Sequence, residues 1–179
     1  MKLLRAAVIA AFLMTSSVAA DSFYFGVRFD APVFLEQSNQ TKAINANVIP
    51  MFGVQIGYDF DSLYAGPLGF RVAVSSDLNS GFRIGFDGYR RSPMLPELGS
   101  YLGFGGTVIS VSKLFSFNFR FLAGVEYQLV PGVGLFAEIS PGVALGLTKN
   151  PCFPPADAET CVLLLPFTLE AAIGLNFRF

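Results

Sequence analysis

Apolar residues recur at every second position along most of this chain. Phe23, Phe25, Val27 and Phe29 alternate with Tyr24, Gly26, Arg28 and Asp30, and Phe52, Val54, Ile56 and Tyr58 alternate with Gly53, Gln55, Gly57 and Asp59. Leu68, Phe70, Val72 and Val74 stand against Gly69, Arg71, Ala73 and Ser75, and Phe82, Ile84 and Phe86 against Arg83, Gly85 and Asp87. A Gly-rich stretch from Tyr101 to Val111 shows no clear facing. The clearest segment carries Phe115, Phe117, Phe119, Phe121, Ala123, Val125 and Tyr127 on one parity. Two longer segments follow, one from Val133 to Leu147 and one from Leu163 to Phe179. A period of two is the signature of a strand whose faces differ, and it excludes helices as the main element. Eight strands in one domain are predicted. The breaks fall at Ala31–Asn47, Asp61–Pro67, Ser76–Ser80, Arg91–Gly99, Ser112–Leu114, Val130–Gly132 and Thr148–Cys161, several of them rich in turn residues. Pro166 falls inside the last segment and predicts a bulge or strand end, because Pro gives the ladder no donor.

Alternation alone suits a soluble barrel as well as a membrane one, and the composition of the two faces separates them. Only 14% of the 179 residues are charged, against about 25% in an ordinary soluble domain. One face is almost wholly Phe, Val, Ile and Leu. The other holds Gly, Ser, Asn and isolated charges of both signs: Arg28, Arg71, Arg83, Arg120, Asp87, Glu126, Glu138 and Glu170. Such a pattern predicts a lumen of cross-paired charges and an apolar wall that meets lipid. The predicted fold is therefore an all-β, eight-stranded antiparallel up-and-down transmembrane β-barrel. Closure follows, because lipid cannot satisfy an open sheet edge.

The N-terminus reads as a secretory signal peptide over residues 1–20: Lys2 and Arg5, then the apolar run Ala6–Met14, then Val18-Ala19-Ala20 before the cut. Residues 21–179 form the expected barrel. Cys152 and Cys161, close in sequence in an exported chain, are expected to form a disulfide rather than a metal site. With both ends of the barrel chain at the periplasm, all six tyrosines fall near the periplasmic rim, where an apolar ring with a wet hydroxyl is at home. The same topology puts Lys42, Lys113 and Lys149 in outward loops.

These features, with the ending Ala172-Ile-Gly-Leu-Asn-Phe-Arg-Phe179, make the chain resemble the small eight-stranded outer-membrane β-barrels, the OmpA-barrel, OmpX and OmpW-like group. The resemblance covers the whole chain after the signal peptide. It implies export through the periplasm to the outer membrane of a Gram-negative-type envelope, porin-like or OmpA-like. It also implies that Gly174, Phe177 and Phe179 belong to a strand read by the barrel-assembly machinery. Outer-membrane lipid is the other partner expected; contact of the loop lysines with lipopolysaccharide phosphates is the alternative to lysines that are simply solvated.

Enzymatic barrels of this kind resemble one another in using His, and this chain has none. Glu126 and Glu138 are the one carboxylate pair to weigh for acid/base work. The preferred reading is that they pair with Arg71, Arg83 or Arg120, as burial requires. Gly103-Phe-Gly-Gly106 lacks the Lys and the strand–helix setting of a phosphate loop. No catalytic, cofactor or metal site is read, and a net charge of −1 offers no nucleic-acid footprint. The function expected is non-enzymatic: a structural or surface-interaction barrel with a plugged lumen. The alternative is a narrow pore or lateral conduit for small hydrophobic molecules. Ligand contact is expected at Phe34–Asn47 and Lys149–Cys161.

Overall fold

The computed structural model describes residues 22–38, 44–62, 66–111, 114–148 and 162–179. Within them lie β1 (Ser22–Ser38), β2 (Ile44–Val48), β3 (Met51–Ser62), β4 (Gly66–Ser76) and β5 (Phe82–Pro93). They continue with β6 (Leu98–Val111), β7 (Leu114–Val130), β8 (Val133–Thr148) and β9 (Val162–Arg178). The strands from β3 to β9 pair with their sequence neighbours, β1 pairs with β3, and β1 also pairs with β9, which closes the sheet. All pairings are antiparallel.

The nine elements make eight staves, because β2 and β3 are one strand interrupted at Pro50. Both keep a single register along β1, with Val33 opposite Val48 and Asp30 opposite Met51. Between them the Ile49 amide still donates to the Pro32 carbonyl at 3.0 Å. This corrects the loop expected over Ala31–Asn47. β1 runs through Pro32 to Ser38 and the chain re-enters the sheet at Ile44. Pro32 and Phe34 sit on the buried parity, so the alternation persists through the proline. At Pro166 the strand bulges without ending: Phe34 faces Thr168 and Glu36 faces Leu164, so Leu165, Pro166 and Phe167 stand opposite Leu35 alone. The β7–β8 connection is the two-residue turn Pro131-Gly132, where a φ of +81° at the second position calls for glycine.

The two faces separate as an inverted protein would. Phe52, Phe70, Phe86, Phe104, Phe119 and Phe167 are exposed on the outside, Phe104 to 73%. Arg28, Arg71, Arg83, Arg120 and Glu138 are buried inside, Arg83 completely. The facing of the Gly-rich stretch is resolved: Tyr101, Gly103, Thr107 and Ile109 point inward, and Leu102 and Phe104 point outward. At the end of the lumen away from Ser22 and Phe179, Phe34, Met51 and Ile109 form a buried apolar cap, flanked by Ile49 and Val111.

Candidate functional site: a lumen filled by two rings of charge

Every described strand parity that faces inward delivers its charges to the same narrow interior. Arg28 and Asp30 come from β1, Arg71 from β4, Arg83 and Asp87 from β5, Arg120 from β7, Glu138 from β8 and Glu170 from β9. These four guanidiniums and four carboxylates link into a closed cycle of alternating sign. Arg28 meets Asp30 at 2.5 Å and Glu138 at 2.8 Å. Arg71 meets Glu138 at 2.8 Å and Asp87 at 2.7 Å. Arg120 bridges Asp87 at 2.7 Å and Glu170 at 2.6 Å. Arg83 bridges Glu170 at 2.8 Å and returns to Asp30 at 3.7 Å, the loosest link. Each charge thus has two neighbours of the opposite sign and the ring is neutral. Neutrality and doubled pairing are what permit eight charges in a dry interior, since an ion with no partner there costs several kcal/mol. Ser75 adds a hydroxyl donor to Asp30.

A second ring lies at the end that holds Ser22 and Phe179. Arg91 contacts Asp59 at 2.9 Å and Glu126 at 3.0 Å, and Arg178 contacts Glu126 at 2.9 Å and Asp59 at 2.5 Å. This four-membered cycle is also neutral. Its guanidiniums are about one-fifth exposed, and they floor a cup of about 490 Å³ walled by Pro93, Leu95, Leu98, Pro131 and Phe179.

Tyr24, Tyr89 and Tyr101 fill the layer between the rings. Tyr89 donates to Asp59 of the lower ring at 2.7 Å, Tyr101 donates to Glu138 of the upper ring at 2.9 Å, and the Tyr24 and Tyr89 hydroxyls share a hydrogen bond of 2.8 Å. An amide path runs beside them. Arg28 donates to Gln55 at 2.7 Å, Gln55 to Asn176 at 2.6 Å, and Asn176 to Glu126 at 2.9 Å. The three aromatic rings fit because a glycine lies opposite each: Gly57 faces Tyr24, Gly69 faces Tyr89, and Gly124 faces Tyr101. A Cβ on Gly124 would lie 2.4 Å from Tyr101 Cζ. The tyrosines are therefore the tenons of a packed interior.

All eight residues expected to line the lumen, Arg28, Arg71, Arg83, Arg120, Asp87, Glu126, Glu138 and Glu170, are buried there. Seven of them fall in the upper ring and Glu126 in the lower. The expectation had omitted Asp30, which the alternation places on the polar parity. It had also omitted Asp59, Arg91 and Arg178, which lie next to turns or the chain end. Two placements need correction. Tyr24, Tyr89 and Tyr101 are buried in the lumen and form no rim girdle, because they sit on the inward parity; Tyr58 and Tyr127 do face outward. Phe34 is part of the apolar cap and not of a contact loop. Gly174 accepts the Phe136 ring against the wall, and Phe179 is 82% exposed. Residues 1–20, Cys152, Cys161 and the lysines at 42, 113 and 149 lie outside the described residues. Among the described residues no cluster of three or more Cys, Asp or Glu is placed to hold a metal ion.

An apolar outer wall, a sheet with no open seam and a charge-neutral interior occur together only where lipid is the solvent. The protein is an eight-stranded transmembrane β-barrel. Its fold is similar to that of the solved outer-membrane protein Ail of Yersinia pestis, with 11% identity over 90% of this chain and 100% of that one, TM-score 0.48. OprG of Pseudomonas aeruginosa gives 10% identity over 90% and 96%, TM-score 0.46. Neisserial surface protein A gives 16% over 87% and 97%, TM-score 0.41. No protein-family model and no curated protein matches the sequence.

Proposed function

We propose that this barrel is a non-enzymatic protein of the outer membrane whose interior is a structural core and whose loops are the working surface. The closed eight-membered charge cycle carries this reading. An eight-stranded barrel has only enough interior for its own side chains, and here that interior is consumed by cross-linked ion pairs, tyrosine rings and an apolar cap. Glu126 and Glu138 belong to different rings, and each carboxylate is held by two arginines. That arrangement supports a fixed structural role over proton exchange with a substrate. On this reading Gly174, Phe177 and Phe179 present the strand that the barrel-assembly machinery takes up. The loop lysines contact lipopolysaccharide phosphates, and a Cys152–Cys161 disulfide pins the longest outward loop. The residue 1–20 segment is the export signal.

Conductance tests the plug. The purified barrel reconstituted in a planar bilayer is expected to show no stable open level, and its Glu126→Gln and Glu138→Gln variants are expected to be impaired in stability only. A reproducible open state of the wild-type barrel would reject the plugged lumen.

A further inference from the structure

Among the described residues, one charge on the outward face of a barrel strand lies outside both rings. Six of the seven described arginines belong to the rings. The seventh, Arg90, is exposed on the outward parity of β5, between Leu68 of β4 and Leu102 of β6. Among the described residues no other Arg, Lys, Asp or Glu occupies an outward-facing position within a barrel strand, and no ion pair reaches Arg90. A cation on the lipid side of a wall is disfavoured by an amount that grows with depth and falls towards zero at the interface.

The depth of Arg90 is set by its strand. It stands three residues before the end of β5 at Pro93. At about 3.3 Å per residue and a tilt near 45°, its Cα lies about 7 Å inside that end of the wall. A guanidinium on a flexible stem reaches the headgroup layer from there. The end concerned is the one that holds the Asp59–Arg91–Glu126–Arg178 ring, which the proposed topology puts at the periplasm.

A second observation lies two residues along the same face. In-register partners make an aromatic row across six neighbouring strands: Phe23, Tyr58, Phe70, then Phe104 and Phe121. The row is broken once, by Gly88 between Phe70 and Phe104. Next to this notch the wall carries a groove of about 450 Å³ lined by Phe23, Ile56, Tyr58, Phe70, Val72 and Phe86, with Gly88 at its edge. Gly88 and Arg90 are about 7 Å apart along the strand. A notched apolar channel and a lone cation at headgroup depth thus adjoin on one patch.

We propose that this patch binds one glycerophospholipid of the periplasmic leaflet. Arg90 grips its phosphodiester and the groove beside Gly88 takes an acyl chain. The charge supplies the choice of occupant. A bidentate guanidinium matches phosphate oxygens, whereas Arg71 and Asp87, which also border the groove, are buried and spent on each other in the lumen. The proposal rests on the membrane-barrel reading, so it is tested on protein already shown to be folded and inserted.

The test is native mass spectrometry of the refolded barrel in detergent, titrated with phosphatidylglycerol or with diacylglycerol of the same acyl chains. Insertion of each variant into vesicles and its heat-dependent gel mobility are checked first; failure there would count against the barrel and not against the lipid site. Wild type is expected to retain one phosphatidylglycerol and to hold diacylglycerol more weakly. Arg90→Gln is expected to lose about fivefold in affinity for phosphatidylglycerol, the factor that accompanies one basic contact at a membrane surface. Arg90→Lys is expected to keep part of that affinity. Gly88→Leu, which fills the notch, is expected to weaken both ligands. Equal retention of the two lipids by wild type, or an Arg90→Gln variant that binds phosphatidylglycerol as wild type does, would overturn the proposal.

Discussion

Replacing Glu138 by Gln removes one charge and leaves the side chain's shape intact. In the native ring Glu138 accepts from Arg28 at 2.8 Å, from Arg71 at 2.8 Å and from the Tyr101 hydroxyl at 2.9 Å. The variant leaves four guanidiniums facing three carboxylates, and it turns an amide N–H₂ towards cationic donors. Removing one partner from a buried ion pair costs roughly 3–5 kcal/mol. The lower end applies here, because Arg28 keeps Asp30 and Gln55, and Arg71 keeps Asp87. A loss of about 3 kcal/mol is about a hundredfold in the folding equilibrium. Urea unfolding of the barrel in lipid vesicles, followed by circular dichroism and by gel mobility, reads this directly. The double variant Glu138→Gln with Arg71→Gln restores three charges of each sign, and its loss is expected to fall short of the sum of the two single losses by about 1–3 kcal/mol. A Glu138→Gln variant within about 0.5 kcal/mol of wild type, the scatter of ordinary surface substitutions, or single losses that simply add, would refute the closed-cycle account.

Two further outcomes follow from the same geometry. Gly124→Ala drives a methyl group against the Tyr101 ring and is expected to cost about 1–3 kcal/mol; the double variant with Tyr101→Ala is expected to lose less than the sum of the two single losses in the same unfolding assay. In the exposed β4–β5 loop, the Asp77 carboxylate accepts from the amides of Asn79 at 2.9 Å, Ser80 at 3.1 Å and Gly81 at 2.8 Å. Those bonds, that of Asn79 foremost, hold its pKa below the ordinary aspartate value. The sign is that of a depressed acid: the loop's carboxylate anchoring is complete above the unfolded aspartate pKa and is lost as pH falls through the lower folded one. An NMR titration of the Asn79 and Gly81 amides is expected to show a midpoint below that of a free aspartate; a midpoint at or above it would contradict the anchoring.

Strand positions and facing were legible because lipid imposes a two-residue rhythm with few exceptions. The charges on strand interiors, from Arg28 to Glu170, were legible for the same reason. Three things were not. The inward parity continues through Pro32 to Phe34, beyond the point where the clear run of Phe23 to Asp30 stops, so the β1–β2 extension lies inside the expected break Ala31–Asn47. The amphipathic logic of tyrosine at membrane surfaces overrode the inward parity of Tyr24, Tyr89 and Tyr101, where the glycine opposite each ring was the telling signal. The closing of the charges into rings depends on the stagger between strands, which brings Glu138 of β8 to Arg28 of β1 across β9. No spacing along one strand encodes that stagger.

The upper ring also has a consequence for how the barrel comes together. Its cycle crosses the seam where β1 meets β9, through the Arg28–Glu138 link. In an unclosed sheet the same residues form an arc with severed ends, and its terminal charges have lost a partner. The last backbone pairing therefore completes an ion pairing as well. Half-closed sheets are disfavoured twice, at their edges and in their interiors, and the lumen acts as a latch on assembly as well as a plug in the finished wall.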